Sequence, residues 1–502
     1  MTTQPPRNTV AHLEPRRVWE IFSGIAAVPR ASKREERIRG HVRAFAEQHK
    51  LPLREDKTGN LVITVPASPG CEKTPITVLQ GHLDMVCEKN SGTKHDFDNE
   101  GIRMLVDTEQ SSGEKIVRAD GTTLGADNGI GVALALAAAT SPDVTHGPLE
   151  LLFTIDEEDG MTGAKALTPE SFRGRRMLNL DSEEDDALYI GCAGGCDTNV
   201  SWTFPASPVP NDLEIGNIRV GGLRGGHSGC DIHEGRANAI KLLTRVLSRA
   251  SSRDLRLLTI SGGSKRNAIP REATATVAGP PGLADDLKKS AADVARESLV
   301  ESGEPTVNID IRADQSNAPS PRTTVSAQDT IRLLSTLYAL PSGVLGMHPK
   351  VFGLVETSNN LSTIETKAGA SQTNITAGLL SRSSSPSRIR EVLDQLASIG
   401  RLSAAAISTA NEYPGWSPNP ASATLAVCRR VYQELFNKEP KVTAIHAGLE
   451  CGIIGERVGD MDMVSLGPTI RGAHSPDERV YTASVERAWK YLVALLAALS
   501  KN

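Results

Sequence analysis

Apolar positions in the first 190 or so residues alternate between two rhythms. SKREERIRGHVRAFAEQHK (Ser32–Lys50) is charged with a helical period, and Ser32 stands ready as its N-cap. NLVITVP, TPITVLQ, LELLFTI and RMLNL are short apolar runs rich in branched residues, bounded by Gly, Pro or polar clusters. They predict buried strands of a largely parallel α/β sheet. Between them, NGIGVALALAAAT has the length and composition of a buried helix.

The pattern changes near Gly195. TNVSWTF and EIGNIRVGGL predict antiparallel strands, EGRANAIKLLTRVLSRA an amphipathic helix, and RLLTISGG and EATATVAG further strands. From Glu304 to about Ala410 the order repeats. TVNIDIRAD reads as a strand, SAQDTIRLLSTLYAL as a helix, KVFGLVETSNNLSTIETKAG and SQTNITAGLLSRS as strands, and SPSRIREVLDQLASIG as a closing helix. Two α+β halves of this kind predict a duplicated insertion. The Ser-rich LLSRSSSPSRIRE admits two readings, a disordered linker or a Ser-Pro helix cap. After the Pro-rich NEYPGWSPNPAS the alternating pattern returns, with a strand-to-helix unit in KVTAIHAGLECGIIGER and a final helix in TASVERAWKYLVALLAALS. The expected organisation is therefore a discontinuous α/β domain, residues 1–194 and 414–502, interrupted by an α+β lid of two similar halves at 195–413.

A chain of 502 residues is too long for one ordinary core, which agrees with two domains. Its net charge of -5, 4% aromatic content and lack of a concentrated Lys/Arg stripe exclude a nucleic-acid surface. The most apolar runs, GVALALAAAT and YLVALLAALS, are shorter than the roughly 20 residues of a membrane span. No apolar signal region precedes Phe22, and seven scattered cysteines form no disulfide framework, so a cytoplasmic protein is expected. The GCAGGC pair, Cys192 and Cys196, has no second pair to complete a zinc site and reads as packed thiols.

The candidate chemistry lies where the predicted strands end, the position of ligands in open α/β sheets. His82 and Asp84 follow one strand, Asp127 precedes the buried helix, Glu157 and Glu158 follow a third element, Asp181 a fourth, and His474 a distant fifth. Each fragment alone has a simpler reading. A lone histidine is more often packed or exposed than a ligand, DEED is more often a solvated turn, and DNG is ordinarily a turn signal. Five such sites, all at strand ends, favour metal binding. Imidazole and carboxylate suit zinc, manganese and cobalt, and one carboxylate can bridge two ions. Asp84 is placed to orient the His82 ring. Two cations also account for four consecutive acidic residues, Asp156 to Asp159, at the end of an apolar strand.

GHLDMV, GTTLGADNGIG, DEEDGMTGA, LNLDSEE, GGHSG, KRNAIPRE, LLSRSS, HAGLECG and SLGPTIRGAHSPDE together resemble the bacterial aminoacyl-histidine (cytosolic non-specific) dipeptidases of the co-catalytic zinc peptidase superfamily that includes carnosinase. The resemblance runs in order from about Ile21 to the C-terminus, leaving the first twenty or so residues as an unrelated extension. It implies a mixed sheet flanked by helices, two divalent ions (zinc first, manganese or cobalt as alternatives), small peptide substrates and a homodimer as one option. It makes Asp127 the bridging ligand, with His82 and Asp181 on one ion and Glu158 and His474 on the other, and Glu157 the general base. It also implies a cis peptide between Asp127 and Asn128. His227 resembles the residue that reaches the developing oxyanion, Asn267 a polar substrate contact, and Arg382 the clamp on a free C-terminal carboxylate. His446 and Glu450 in HAGLECG lie one helical turn apart near the cleft; spacing alone would let them be ligands, but with five ligands already assigned they are read as substrate-pocket residues. The expected function is metal-dependent hydrolysis of unblocked dipeptides, Xaa-His and carnosine-like ones included. A related deacylase or tripeptidase, or a catalytically dead metal-bound binding protein, stands as the alternative; the retained Glu157 argues against the last.

Overall fold

The computed structural model describes residues 10–250, 254–313, 323–349 and 351–501. The chain divides into two compact units. One comprises Met1–Gly191, Pro418–Ala444 and Leu449–Asn502; the other comprises Cys192–Ser417 with a short return at Ile445–Gly448.

The first unit is built on an eight-stranded sheet. Its strands run in the order Leu53–Glu55, Leu61–Val65, Leu149–Thr154, Thr77–His82, Arg176–Asn179, Asp462–Ser465, Ala187–Cys192 and Lys441–Ile445. The four central strands, Leu149–Thr154 through Asp462–Ser465, are parallel. Leu53–Glu55, Leu61–Val65 and Ala187–Cys192 pair antiparallel, so the sheet is mixed, as the family resemblance implies, rather than largely parallel as the apolar runs predict. Every residue of Thr77–His82 and Leu149–Thr154 is buried, because both faces of the sheet centre are covered; this is why these runs show no alternation.

The helix Ala126–Thr140 packs close against the sheet through small residues. A Cβ on Gly81 would lie 2.2 Å from Asn128 Oδ1, and one on Gly131 would lie 2.3 Å from the Leu180 carbonyl oxygen. Any side chain there would push the helix off the strands. The closing helix Thr482–Leu499 buries Val485, Ala488, Leu492, Leu495, Leu496 and Leu499, the stripe of a helix lying on a core. Val10, Leu13, Val18, Trp19 and Phe22 belong to the same core. From Val10 onward, the stretch read as an extension is therefore an integral part of this core. The helix Arg16–Ala26 presents an apolar face that its charged flanks conceal in sequence. Residues 1–9 lie outside the described residues.

The second unit carries a nine-stranded antiparallel sheet. Eight strands follow the order Asn308–Ala313, Glu214–Gly221, Ala273–Gly279, Arg256–Gly262, Val355–Ala368, Gln372–Ser383, Gly194–Pro205 and Ala406–Tyr413, and Gly343–Met347 pairs with Val355–Ala368. Apart from two-residue strands, the first half runs strand, helix, two strands, helix, with helices Ala239–Arg249 and Leu283–Ser302; the second runs strand, helix, three strands, helix, with helices Ala327–Ala339 and Pro386–Ser403, and Gly343–Met347 is its extra strand. The halves join edge to edge at Gly262 and Ile364. Asn238 caps the first helix by accepting from Ile240 and Lys241 N–H groups. The Ser-Pro reading holds over the linker reading, since Ser385 is the N-cap position and Pro386 opens the helix. No helix among the described residues is long and apolar enough to cross a membrane.

Candidate metal centre

Asp127 lies at the centre of the acidic strand ends in the first unit. Its Oδ1 is 3.1 Å from His82 Nε2, and its Oδ2 is 3.3 Å from His474 Nε2. Asp181 Oδ1 stands 3.3 Å from His82 Nε2, and Glu158 Oε2 stands 3.0 Å from His474 Nε2. The five side chains thus form two groups of three, His82–Asp127–Asp181 and His474–Asp127–Glu158, sharing one carboxylate. Ligand atoms of His82, Asp127 and Glu158 also lie within 4.8 Å of one another.

Local structure explains this convergence. His82 is the last residue of its strand, while Asp127 follows Gly125, whose φ of 70° turns the chain into the buried helix. Asp127 itself is non-helical, and the Asp127–Asn128 peptide is cis. Glu478 fixes this turn by accepting the backbone N–H groups of Leu124 (2.7 Å), Gly125 (2.9 Å), Ala126 (2.7 Å) and Asp127 (3.3 Å). Asn128 Nδ2 donates to the Leu180 carbonyl at 2.7 Å, tying the same turn to the residue before Asp181.

Asp84 holds the opposite side. Its Oδ1 is 3.3 Å from His82 Nδ1 and accepts the Glu157 N–H at 3.0 Å, while Oδ2 accepts the Glu158 N–H at 3.1 Å and the Ser32 hydroxyl at 2.7 Å. One buried carboxylate therefore orients an imidazole and both candidate glutamates. Burial pushes its pKa up, but the His82, Ser32 and Glu157 contacts outweigh it and hold it at about 2. Arg30, fully buried, donates to the Leu83 (3.0 Å), Asp84 (2.6 Å) and Gly125 carbonyls and joins the two turns. Sequence reasoning missed Glu478, Arg30 and Ser32 as parts of this site. Only Glu478 carries a local signal, lying four residues after His474 in the same loop.

These groups compete for too few protons. Burial pushes Asp181 up to about 7, with the Asp127 and Glu158 carboxylates adding to the shift against the pull of His82. Burial, joined by the Glu158, Asp181 and Glu450 carboxylates, raises Glu157 well above the usual range although His82 opposes it. His474 rises to about 11 through its bonds to Asp127 and Glu158. Glu158 Oε1 and Asp181 Oδ1 are buried without a hydrogen-bond partner. Buried carboxylate oxygens without a partner are costly unless a cation meets them. The oxygen and nitrogen donors fit two divalent ions sharing Asp127.

Glu450 and His446 depart from expectation. The helix begins at Glu450, so the two residues are not one helical turn apart, and His446 belongs to the other unit. The Glu450 carboxylate is fully buried and accepts from Gln80 Nε2 (2.6 Å) and Thr154 Oγ1 (2.5 Å). It faces into the sheet rather than a substrate pocket, which corrects that assignment.

In the second unit, His446 Nε2 lies 2.7 Å from Ser358 Oγ, and burial, with the Arg382 guanidinium and the His227 ring nearby, lowers its pKa to about 3. Ser358 is the cross-strand partner of Arg382, so the neutral imidazole stands alongside the guanidinium. Arg382 is 5% exposed. Its Nη1 donates to Tyr413 Oη at 2.7 Å, its Nε has no hydrogen-bond partner, and no acidic side chain among the described residues pairs with it. Gly195 separates Tyr413 from Arg382 in the sheet, and a Cβ there would meet Tyr413 Oη at 2.5 Å. His227 Nδ1 accepts the Cys230 N–H at 3.0 Å and the Gly229 N–H at 3.3 Å, so the neutral ring carries its proton on Nε2. Asn267 is exposed, and its carbonyl accepts the Ser228 N–H at 2.8 Å beside the His227 strand. Cys192 and Cys196 are buried and belong to no disulfide.

Comparison with known proteins places this geometry among peptidases. The pattern described as Peptidase family M20/M25/M40 matches residues 78–498. The chain is 41% identical over 490 residues to the cytosol non-specific dipeptidase of Escherichia coli strain K12, covering 97% of this chain and 98% of that protein. The crystal structure of aminoacylhistidine dipeptidase from Vibrio alginolyticus superposes with a TM-score of 0.84 at 41% identity, over 97% of this chain and 98% of the other. A tripeptidase from Staphylococcus aureus shares the fold alone, with a TM-score of 0.62 at 14% identity over 98% of this chain and all (100%) of that one.

Proposed function

The chain belongs to peptidase family M20/M25/M40, and from that premise we propose that it is a cytoplasmic dipeptidase using two divalent metal ions. Its substrates are unblocked dipeptides, with Xaa-His and carnosine-like dipeptides among them. The observation that carries this reading is Asp127, whose two carboxylate oxygens face two separate histidine–carboxylate groups. His82, Asp127 and Asp181 would hold one ion, and Glu158, Asp127 and His474 the other; zinc fits this set first, manganese and cobalt next. When bound, such a pair of ions polarises the scissile carbonyl and acidifies a water molecule.

The side chains do the rest. Glu157 takes the proton of the attacking water and delivers it to the amine nitrogen as the C–N bond breaks, so that water is added across the peptide bond. Its high proton affinity suits that exchange. Asp84 keeps Glu157, Glu158 and His82 in orientation through the bonds described above. His227 donates from Nε2 to the carbonyl oxygen as negative charge develops there. Asn267 and the neutral His446 contribute polar contacts to the substrate. Arg382, a buried guanidinium lacking an acidic partner among the described residues, takes the free C-terminal carboxylate, and Tyr413 sets its plane.

A panel of dipeptides, tripeptides and N-acyl amino acids, assayed before and after chelation, tests the reading. Dipeptides should be turned over fastest, chelation should abolish turnover, and zinc, manganese or cobalt should restore it. Preferential turnover of N-acyl amino acids or tripeptides, or full activity after exhaustive chelation, would overturn it.

The Arg382 assignment makes its own prediction. Charge-assisted hydrogen bonds contribute roughly 1.5–3 kcal/mol, or about 10–150-fold in binding. Arg382→Met should therefore raise KM for free dipeptides by that factor and leave C-terminally amidated dipeptides nearly unchanged. Equal losses on both kinds of substrate would remove the clamp role.

A further inference from the structure

Behind the proposed ligands runs a row of buried polar side chains that the hydrolytic steps above do not use. Gln80, Thr154, Asn179 and Ser465 come from the four parallel strands at the sheet centre, and each is 0% exposed. Gln80 stands opposite Asn179, and Asn179 opposite Ser465, in the strand register. Ser465 Oγ donates to Asn179 Oδ1, Asn179 Nδ2 donates to Gln80 Oε1 at 2.5 Å, and Gln80 Nε2 donates to Glu450 Oε2 at 2.6 Å. Thr154 Oγ1 donates to that same Glu450 oxygen at 2.5 Å. Ser182 Oγ lies 2.6 Å from Ser465 Oγ and extends the row at its far end.

The donors from Ser465, Asn179 and Gln80 all point the same way, toward the carboxylate of Glu450. Glu450 is the first residue of the helix Glu450–Val458, where the helix end favours an acceptor with negative character. Hydrogen bonds aligned in this manner polarise one another, and breaking one leaves its neighbours unsatisfied in a dry interior. A row of amides and hydroxyls across a sheet centre adds nothing to apolar packing, so its geometry has to be explained by what it holds in place.

It adjoins the metal centre at each strand. Gln80 lies two residues before His82, on the same face of their strand. Thr154 is the direct cross-strand partner of His82. Asn179 lies two residues before Asp181, and Ser182 follows it. The row thus locks the relative height of the strands that deliver the two non-shared ligands of one ion.

We infer that Glu450 and Gln80 are positioning residues for that ion, setting the separation of His82 and Asp181 through this cross-sheet hydrogen-bonded bar. The inference rests on the reading that these side chains hold metal. Partners that orient metal ligands typically alter affinity by roughly 10–100-fold when removed.

The test uses the full chain loaded with cobalt, read by its visible absorption spectrum and by chelator competition, with circular dichroism to establish folding. Glu450→Leu removes the terminal acceptor and should weaken one of two cobalt sites at least roughly tenfold and shift its absorption bands. Glu450→Gln keeps an acceptor oxygen for Gln80 and should restore both affinity and spectrum most of the way. Should Glu450→Leu not fold, Gln80→Met breaks the middle of the bar at similar volume and should give the same two changes. A folded Glu450→Leu or Gln80→Met with wild-type affinity and spectrum overturns the inference and leaves the dipeptidase reading standing. If instead Asp127→Asn retains both cobalt ions at wild-type affinity, the metal assignment itself fails, and the inference with it.

Discussion

Glu157→Gln is expected to fold, to retain two metal ions, and to turn over dipeptides roughly 10²–10⁴-fold more slowly than the unaltered chain. The magnitude follows from what the carboxylate does rather than where it sits. A carboxamide of the same shape keeps the packing but has no site for the proton that leaves water. The Glu157 backbone N–H, which Asp84 accepts, is untouched by the substitution, so the neighbouring His82 and Glu158 stay oriented. Burial among other carboxylates raises the proton affinity of Glu157, which makes it a stronger base for the water. The loss should fall on kcat, with KM little changed. Turnover within a few-fold of normal, with metal content confirmed by elemental analysis, would move the base role to another group. Glu158→Gln provides the contrast, since its Oε2 faces His474 and its loss should weaken one ion.

Asp127→Ala should empty the centre more completely than any other single change. Its two oxygens serve separate groups, so one truncation removes a ligand from both ions and leaves each with two. Dialysed Asp127→Ala protein should hold well under one ion per chain, and activity should fall below detection unless metal is supplied in large excess. Asp181→Ala or His474→Ala should each lose affinity for one ion only. Elemental analysis across the three variants separates these outcomes. Two ions retained in Asp127→Ala would exclude it as the shared ligand.

The local chemistry of the site was legible residue by residue, and its wiring was not. His82, Asp127, Glu158, Asp181 and His474 were legible because each follows or opens an apolar element, and the ends of parallel strands bring such positions together. Glu478 was not, because its spacing four residues after His474 gives no sign that it accepts the N–H groups of Leu124 to Asp127 across more than 350 residues. Arg30 and the Ser32 hydroxyl were not read as parts of the site, because their partners lie more than 50 residues away. His446 and Glu450 were misread as neighbours on a helix, since spacing cannot reveal that a helix starts between them. Trp19 and Val18 were set aside within a charged and Pro-rich stretch, although their burial makes them core.

The sequence by itself determined the alternating α/β plan, the two similar halves of the insertion, the strand-end donors and the likeness to a peptidase family. These rest on periodicity and on local residue chemistry, which near neighbours in the chain carry. Only the tertiary structure decided which strands of the mixed sheet run antiparallel, that Asp84 orients three residues at once, and that Glu450 ends a bar across four strands. Those facts depend on register between segments far apart in sequence, and the pairing of distant strands is set by packing the whole core, not by any one stretch of it.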